Sequence, residues 1–260
     1  MLSSILAIPG AIAIGISLGL LGSGGSILTV PVLVYLIGQD EKVAIAGSLF
    51  IVGSIALAGS LQFLRARLIE WRSVLVFGLP GMAGTYIGAY IATYVPGITQ
   101  LALFAVVMLL ASWLMLRPPD LEHAVPQQRK TWKIAGDGLI VGIITGLVGV
   151  GGGFLIVPAL VLLGGLSMHQ AVATSLVIIA MKSFSGFYKY LDVLDQQSLS
   201  LDWRTLFLVT GLGIAGSFAG SHFARRVPQK KLKRWFAYFL IIMGIYILSR
   251  SAPAALGFSI

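Results

Sequence analysis

The chain has 260 residues, of which 57% are hydrophobic and 10% are charged, and its formal net charge is +9. A soluble domain carries about 25% charged residues, so a chain this poor in charge must face lipid, and a water-soluble globular protein is excluded. The absence of cysteine excludes disulfides and thiolate metal sites. The basic residues lie in short gaps between apolar runs, where they orient a membrane protein, and this placement argues against a nucleic-acid-binding domain.

Ten apolar segments are predicted along the chain. Residues 1–21 have neither the basic start nor the cleavage site of a signal peptide, and we expect them to contain the first of these segments. A polar stretch from Arg117 to Lys133 separates two groups of five. The segments cover roughly 3–21, 26–38, 43–64, 73–94 and 98–116, and then 134–149, 153–164, 169–191, 203–224 and 231–249.

The two groups of five are an internal repeat. Residues 15–38 align without a gap to residues 142–165 at a shift of 127, and seven glycine or proline positions coincide. At a shift of 132, Gly81, Gly84 and Gly88 then meet Gly213, Gly216 and Gly220. The sequence therefore predicts a first membrane repeat over 1–116, a cytoplasmic linker over 117–133 and a second membrane repeat over 134–260.

The second segment of each repeat is too short to cross a bilayer. About 13 residues at 1.5 Å per residue reach about 20 Å, whereas the hydrocarbon core is about 30 Å thick. The first two segments form either a hairpin that returns to its starting side or one broken span. The hairpin places 13 of the 18 Lys and Arg residues on one side, in loops 65–72, 117–133 and 225–234, and the positive-inside rule therefore favours it.

The predicted fold is an all-α integral membrane protein with two inverted-topology repeats. Each repeat consists of a Gly-rich broken or re-entrant helical hairpin plus three transmembrane helices. Both termini are then expected on the periplasmic side of a bacterial cytoplasmic (inner) membrane.

The glycine-rich stretches GLLGSGGS (19–26) and GLVGVGGG (146–153) are the best candidates for a binding site. Short segments interrupted by Gly or Pro at matching positions of inverted repeats indicate a transporter's midplane site. The helix that follows each stretch offers unpaired N–H groups to an anion. The alternative is a helix-packing motif, which we predict for Gly15/Gly19, Gly84/Gly88 and Gly216/Gly220. The candidate anion-binding residues here are Gly22, Ser23, Gly24, Gly25, Ser26, Gly149, Gly151, Gly152 and Gly153.

These motifs resemble the paired signature of the TauE/SafE sulfite exporter family. The resemblance rests on GLLGSGGSILTVPVL and GLVGVGGGFLIVPALVLLGGLSMHQAVATSL and extends over nearly the whole chain. It implies transport of sulfite, sulfonates such as sulfoacetate, or other small sulfur-containing anions. Without the resemblance, the residues indicate a carrier of small anions and no particular substrate.

Lys182 is the sharpest single candidate, since it lies deep inside an apolar segment, where a charged side chain is costly and usually faces a cavity or a partner. It would hold the anion or change protonation; the alternative is a lysine that extends to the interface or pairs with helix carbonyls for folding. Ser48, Thr174 and Ser175 would donate to the anion's oxygens, or bond their own helix backbone.

The sequence offers no convincing site of another kind. His169 and His222 are weak candidates for proton transfer, Asp137 is expected to pair with Lys133 at the interface, and neither a metal site nor a phosphate loop is visible. We therefore expect a secondary transporter without cofactors, whose partners are a small anion, the lipid bilayer and, as a candidate coupling ion, the proton. A channel-like anion pore and, less favoured, an integral-membrane enzyme are the alternatives, and the oligomeric state, monomer or homodimer, stays open.

Overall fold

The computed structural model describes residues 2–21, 26–65, 67–116, 131–149, 156–157, 159–160, 166–224 and 229–255, and all regular structure within them is helical. The sequence prediction of an all-α chain is thereby confirmed for this part of the protein. Nine helices are numbered here in chain order: α1 (Leu2–Leu21), α2 (Ser26–Leu36), α3 (Glu41–Arg65), α4 (Trp71–Ala92), α5 (Gly97–Leu116), α6 (Thr131–Val148), α7 (Met168–Gln196), α8 (Trp203–Ala224) and α9 (Gln229–Ala255).

Four of the described helices are long and apolar enough to cross a membrane, namely α3, α4, α6 and α7. Shorter apolar stretches lie in α1, α2, α5 and α9. Helix α6 was predicted as one arm of a hairpin, but it begins at Thr131, three residues before the predicted boundary, and its 18 residues reach about 27 Å. The long apolar helices fit a helical membrane protein, and helix α6 alone is nearly as long as the hydrocarbon core is thick.

Local sequence signals explain several helix ends. Ser167 accepts a hydrogen bond from the amide of Gln170, whose side chain bonds back, so that a capping box starts α7. Asp202 caps α8 through the amides of Arg204 and Thr205 and the hydroxyl of Thr205. These bonds, led by the one from the Thr205 hydroxyl, hold the pKa of Asp202 below its ordinary value, because they favour the ionised carboxylate.

The main helix contacts join the predicted first repeat to the predicted second repeat in a reciprocal pattern. Helix α1 packs on α8 and α4 packs on α6, while α3 packs on α7 and α5 on α9. Glycines make the first two contacts close: a methyl group on Gly84 or Gly88 would overlap a backbone carbonyl of α6, and one on Gly220 would overlap a carbonyl of α1. The predicted packing role of the Gly84/Gly88 and Gly216/Gly220 pairs is thereby confirmed.

Contacts at successive turns give the relative directions of these helices. Along α3, Leu49, Gly53 and Gly59 lie beside Gly186, Ser183 and Leu176 of α7, so the two helices are antiparallel. Helix α8 runs parallel to α3, because Leu206 contacts Gly47 and Gly213 contacts Ile55.

Helix α1 runs in the same direction as α3. Between Gly213 and Gly220 of α8, the contact on α1 moves from Ala11 to Gly19, so α1 is parallel to α8 and hence to α3. Val32 of α2 nevertheless lies against Gly10 of α1. Two helices continuing in one direction would separate these residues by about 33 Å, so the chain reverses direction between Gly10 and Val32.

Candidate functional site

Lys182 lies at the centre of the longest described helix. It is 14 residues from Met168 and 14 from Gln196, the ends of α7, which corresponds to about 21 Å from each end. Its side chain lies across Gly81, which is 10 residues from Trp71 and 11 from Ala92, the ends of α4. Lys182 therefore lies near the middle of both membrane-spanning helices.

The Lys182 ammonium is buried without a counterpart in the described part of the chain. The side chain is 1% exposed, and no described residue makes a hydrogen bond with its Nζ. Helix α3 carries no titratable residue between Lys42 and Arg65, and α4 carries only tyrosines between Arg72 and its end. Asp137, the one acidic residue of α6, makes no hydrogen bond with Lys182. An isolated charge at this depth costs several kcal/mol, so the position favours a ligand of opposite charge.

Ser48 and Gly149 are brought into direct contact. The Ser48 hydroxyl lies within hydrogen-bond distance of the carbonyl oxygens of Ile45 and Gly149, and it can donate to either. The Gly149 amide donates to Thr145 at 2.9 Å, and its φ of +73° lies in the left-handed region. Only glycine suits this position, because a methyl group here would also overlap Ile45. Both backbone groups of Gly149 are therefore engaged in this conformation.

The other predicted hydroxyls lie on the opposite side of Lys182. Thr174 Oγ1 accepts a hydrogen bond from the amide of Glu70 at 3.0 Å, and Ser175 donates to Val172 at 2.8 Å. Thr174 is eight residues from Lys182, about 12 Å along the helix axis.

In contrast, Ser48 is five residues from Gly53, which faces Ser183, so the Ser48–Gly149 contact lies about 7.5 Å from the level of Ser183 in the other direction. The predicted polar residues flank Lys182 along the helix axes.

The other predicted site residues belong to the two glycine stretches. Ser26, at the start of α2, is 1% exposed. The remaining members of the two glycine stretches lie outside the described residues: Gly22, Ser23, Gly24, Gly25, Gly151, Gly152 and Gly153.

Sequence reasoning missed a buried polar network between the repeats. Gln100 Nε2 of α5 lies 3.2 Å from the carbonyl of Leu147 and 3.3 Å from the hydroxyl of Tyr190, and Tyr190 also donates to Leu147 at 3.2 Å. Lys42 Nζ donates to Ala92 at 2.7 Å beside it. We call these residues the Gln100–Tyr190 network. They tie α3, α4 and α5 of the first repeat to α6 and α7 of the second.

The network lies near one end of the helices. An open groove of about 480 Å³ adjoins it, lined by Asp40, Lys42, Tyr94 and Gln197 among others. The sequence signal was a glutamine inside an apolar segment, but its partners lie 47 and 90 residues away and no pattern in the sequence links them.

Comparison with known proteins gives the family. A family model described as "Sulfite exporter TauE/SafE" matches residues 7–247. A "Probable membrane transporter protein" of Xylella fastidiosa (strain Temecula1) is 33% identical over 246 residues, which cover 92% of each chain. "Probable membrane transporter protein YunE" of Bacillus subtilis (strain 168) is 30% identical over 270 residues, covering 94% of this chain and 96% of the relative.

The similarity spans the repeats and the linker alike. A "Probable membrane transporter protein" of Haemophilus influenzae is 26% identical over 251 residues, 91% of this chain and 94% of its own length. No solved structure matches the chain. Since the family model matches residues 7–247 and the Xylella fastidiosa relative is 33% identical over 92% of each chain, the chain belongs to the TauE/SafE sulfite exporter family of membrane transporters.

Proposed function

We propose that this protein is a secondary transporter that carries a small sulfur-containing anion, sulfite or an organosulfonate such as sulfoacetate, across the bacterial cytoplasmic membrane. The observation that carries the proposal is the Lys182 ammonium, fully buried at mid-membrane with no acceptor among the residues described. A bound anion would supply that acceptor and neutralise the charge. The description of the matching family supports a sulfur oxyanion as the substrate class.

The directions of the helices support an inverted arrangement of the two repeats. Equivalent helices of inverted repeats run in opposite directions, as α3 and α7 do. The reversal of the chain between α1 and α2 supports a hairpin in the first repeat. Helix α1 runs parallel to α3, and α6 runs parallel to α7, because α6 and α7 both run parallel to α4. With the basic loops facing the cytoplasm, both termini face the periplasm.

Alternating access would act at the contact between the repeats. Lys182 belongs to the second repeat and lies across Gly81 of the first, so relative movement of α4 and α7 would uncover it. The Gln100–Tyr190 network joins the same two repeats near the end of α4 that follows Tyr90, the periplasmic end in this orientation. Its bonds between the repeats would have to break when that side opens.

Transport by purified protein in liposomes tests the proposal. Flux of sulfite, sulfoacetate, sulfate and chloride is measured over a concentration series, with and without a pH gradient. Saturable sulfite or sulfoacetate flux is expected, whereas flux that rises linearly with concentration would indicate a channel. A dependence on the pH gradient would identify the proton as coupling ion.

Lys182→Met is the decisive variant. Methionine fills a similar volume and removes a buried charge, so folding should be retained, and anion flux should fall at least a hundredfold. Lys189→Met is the matched control, because Lys189 lies on the same helix and its Nζ bonds Asp192 at 3.0 Å. Wild-type flux in folded Lys182→Met would contradict the proposal.

A further inference from the structure

Ser183 is a second buried donor beside Lys182. Its side chain is fully buried, and its Oγ makes no hydrogen bond with any residue that the structure describes. We refer to Lys182 Nζ and Ser183 Oγ together as the α7 donors. They are adjacent in sequence and lie at the centre of the same membrane-spanning helix.

In this Ser183 differs from six other helix serines, although Ser251 Oγ of α9 is likewise buried without a hydrogen bond to a described residue. A serine inside a helix ordinarily satisfies its hydroxyl by donating to a carbonyl one turn back. Ser183 sits in the same kind of helix without that bond, so its hydroxyl remains available to a partner other than its own backbone. Six other helix serines donate to the carbonyl three residues back: Ser17, Ser48, Ser60, Ser175, Ser217 and Ser249.

A glycine of the first repeat faces each of the two side chains. A methyl group added to Gly53 of α3 would lie 3.1 Å from Ser183 Cβ, and one added to Gly81 of α4 would lie 3.0 Å from Lys182 Cδ. The side chains therefore point at two different helices of the opposite repeat, and no side chain at either glycine competes for the hydroxyl or the ammonium. The α7 donors thus lie where the repeats meet.

The geometry points to Ser183 as a specificity-determining residue that donates to the transported anion together with Lys182. This inference rests on the proposed transport of an anion at Lys182. Consecutive residues of a helix project about 100° apart, so an anion that accepts from both α7 donors lies between them, on the side of α7 that faces α3 and α4. An oxyanion with several oxygens, such as a sulfite or sulfonate group, accepts from both at once. Chloride forms weaker bonds with a neutral hydroxyl than a sulfur–oxygen anion does, and Ser183 therefore favours the oxyanion.

The test is Ser183→Ala in the full-length protein, with KM measured in liposomes for sulfite and for chloride. A hydrogen bond to an ionised group is worth about tenfold to a hundredfold in affinity, so KM for sulfite should rise at least tenfold, with little change for chloride. Ser183→Thr keeps the hydroxyl and should restore most of the selectivity. Ser217→Ala is the matched control, because that hydroxyl bonds Ile214 within its own helix.

The outcomes separate this inference from the proposed function. If Lys182→Met abolishes sulfite transport while Ser183→Ala leaves the KM and the sulfite-to-chloride ratio unchanged, anion transport stands and the role of Ser183 is refuted. If sulfite KM rises for Ser183→Ala and Ser217→Ala alike, the loss reflects packing and the inference also falls. If wild-type protein transports none of the four anions, the proposed function fails first.

Discussion

Removing the Tyr190 hydroxyl should raise the population of transporter that is open at one side. Tyr190→Phe keeps the buried ring but deletes the bonds to Leu147 at 3.2 Å and from Gln100 at 3.3 Å. Leu147 keeps a second donor in Gln100, so no carbonyl is left unpaired. Two net hydrogen bonds at about 1 kcal/mol each give about 2 kcal/mol. If these bonds break on opening, the open population at that side rises about 30-fold, since 1.4 kcal/mol corresponds to about tenfold.

Cysteine accessibility measures this population directly. The chain has no cysteine, so a single reporter introduced as Val193→Cys, a fully buried position one turn from Tyr190, reports without background. An impermeant maleimide added to intact cells should label the reporter about 30-fold faster in Tyr190→Phe than in the parent. Tyr188→Phe is the control, because Tyr188 lies on the same helix and is 66% exposed.

The result that refutes the reasoning is equal labelling of Tyr190→Phe and Tyr188→Phe. The network would then be a structural contact that persists through the cycle. Faster labelling in inside-out vesicles instead of intact cells would retain the gating role but reverse the assigned orientation of the termini.

Two glycine substitutions test the helix packing. Gly88→Ala places a methyl group into a carbonyl of α6 and should destabilise the fold by about 2 kcal/mol or more, which is measured as a lower Tm in detergent. Gly211→Ala is the control and should leave Tm unchanged, because a methyl group there meets nothing within 4 Å. Equal Tm values for the two variants would contradict the close contact. Gly149→Ala combines a positive φ with overlap of Ile45, so it should reduce the yield of folded protein far more than Gly38→Ala does. Gly38 also has a positive φ, but its surroundings are open. Equal yields would show that the contact between Gly149 and α3 is dispensable.

The features fixed by local chemistry could be predicted from sequence. Low charge and repeated apolar runs predicted a helical membrane protein. Small residues four positions apart, as at Gly84 and Gly88, predicted the close helix contacts. Lys182 could be singled out because a charge in the centre of an apolar segment is costly wherever the helix lies.

The arrangement around Lys182 depended on tertiary structure. Thr174 was grouped with Lys182 by sequence distance, but its hydroxyl accepts from the Glu70 amide, 104 residues away, because the loop before α4 packs there. The role proposed for Ser183 also depends on tertiary structure, since the burial of its unpaired hydroxyl is seen only in the folded chain. Tyr190 and Gln100 are ordinary residues of apolar helices until the fold places them beside each other.

Binding of sulfite to purified protein tests the role of Lys182 most directly. Isothermal titration of wild type, Lys182→Met and Lys189→Met in the same detergent separates binding from every later transport step. The account predicts saturable binding to wild type and Lys189→Met and its loss in Lys182→Met, all three proteins unfolding at similar temperatures. Undiminished binding to Lys182→Met would place the anion elsewhere and contradict the account.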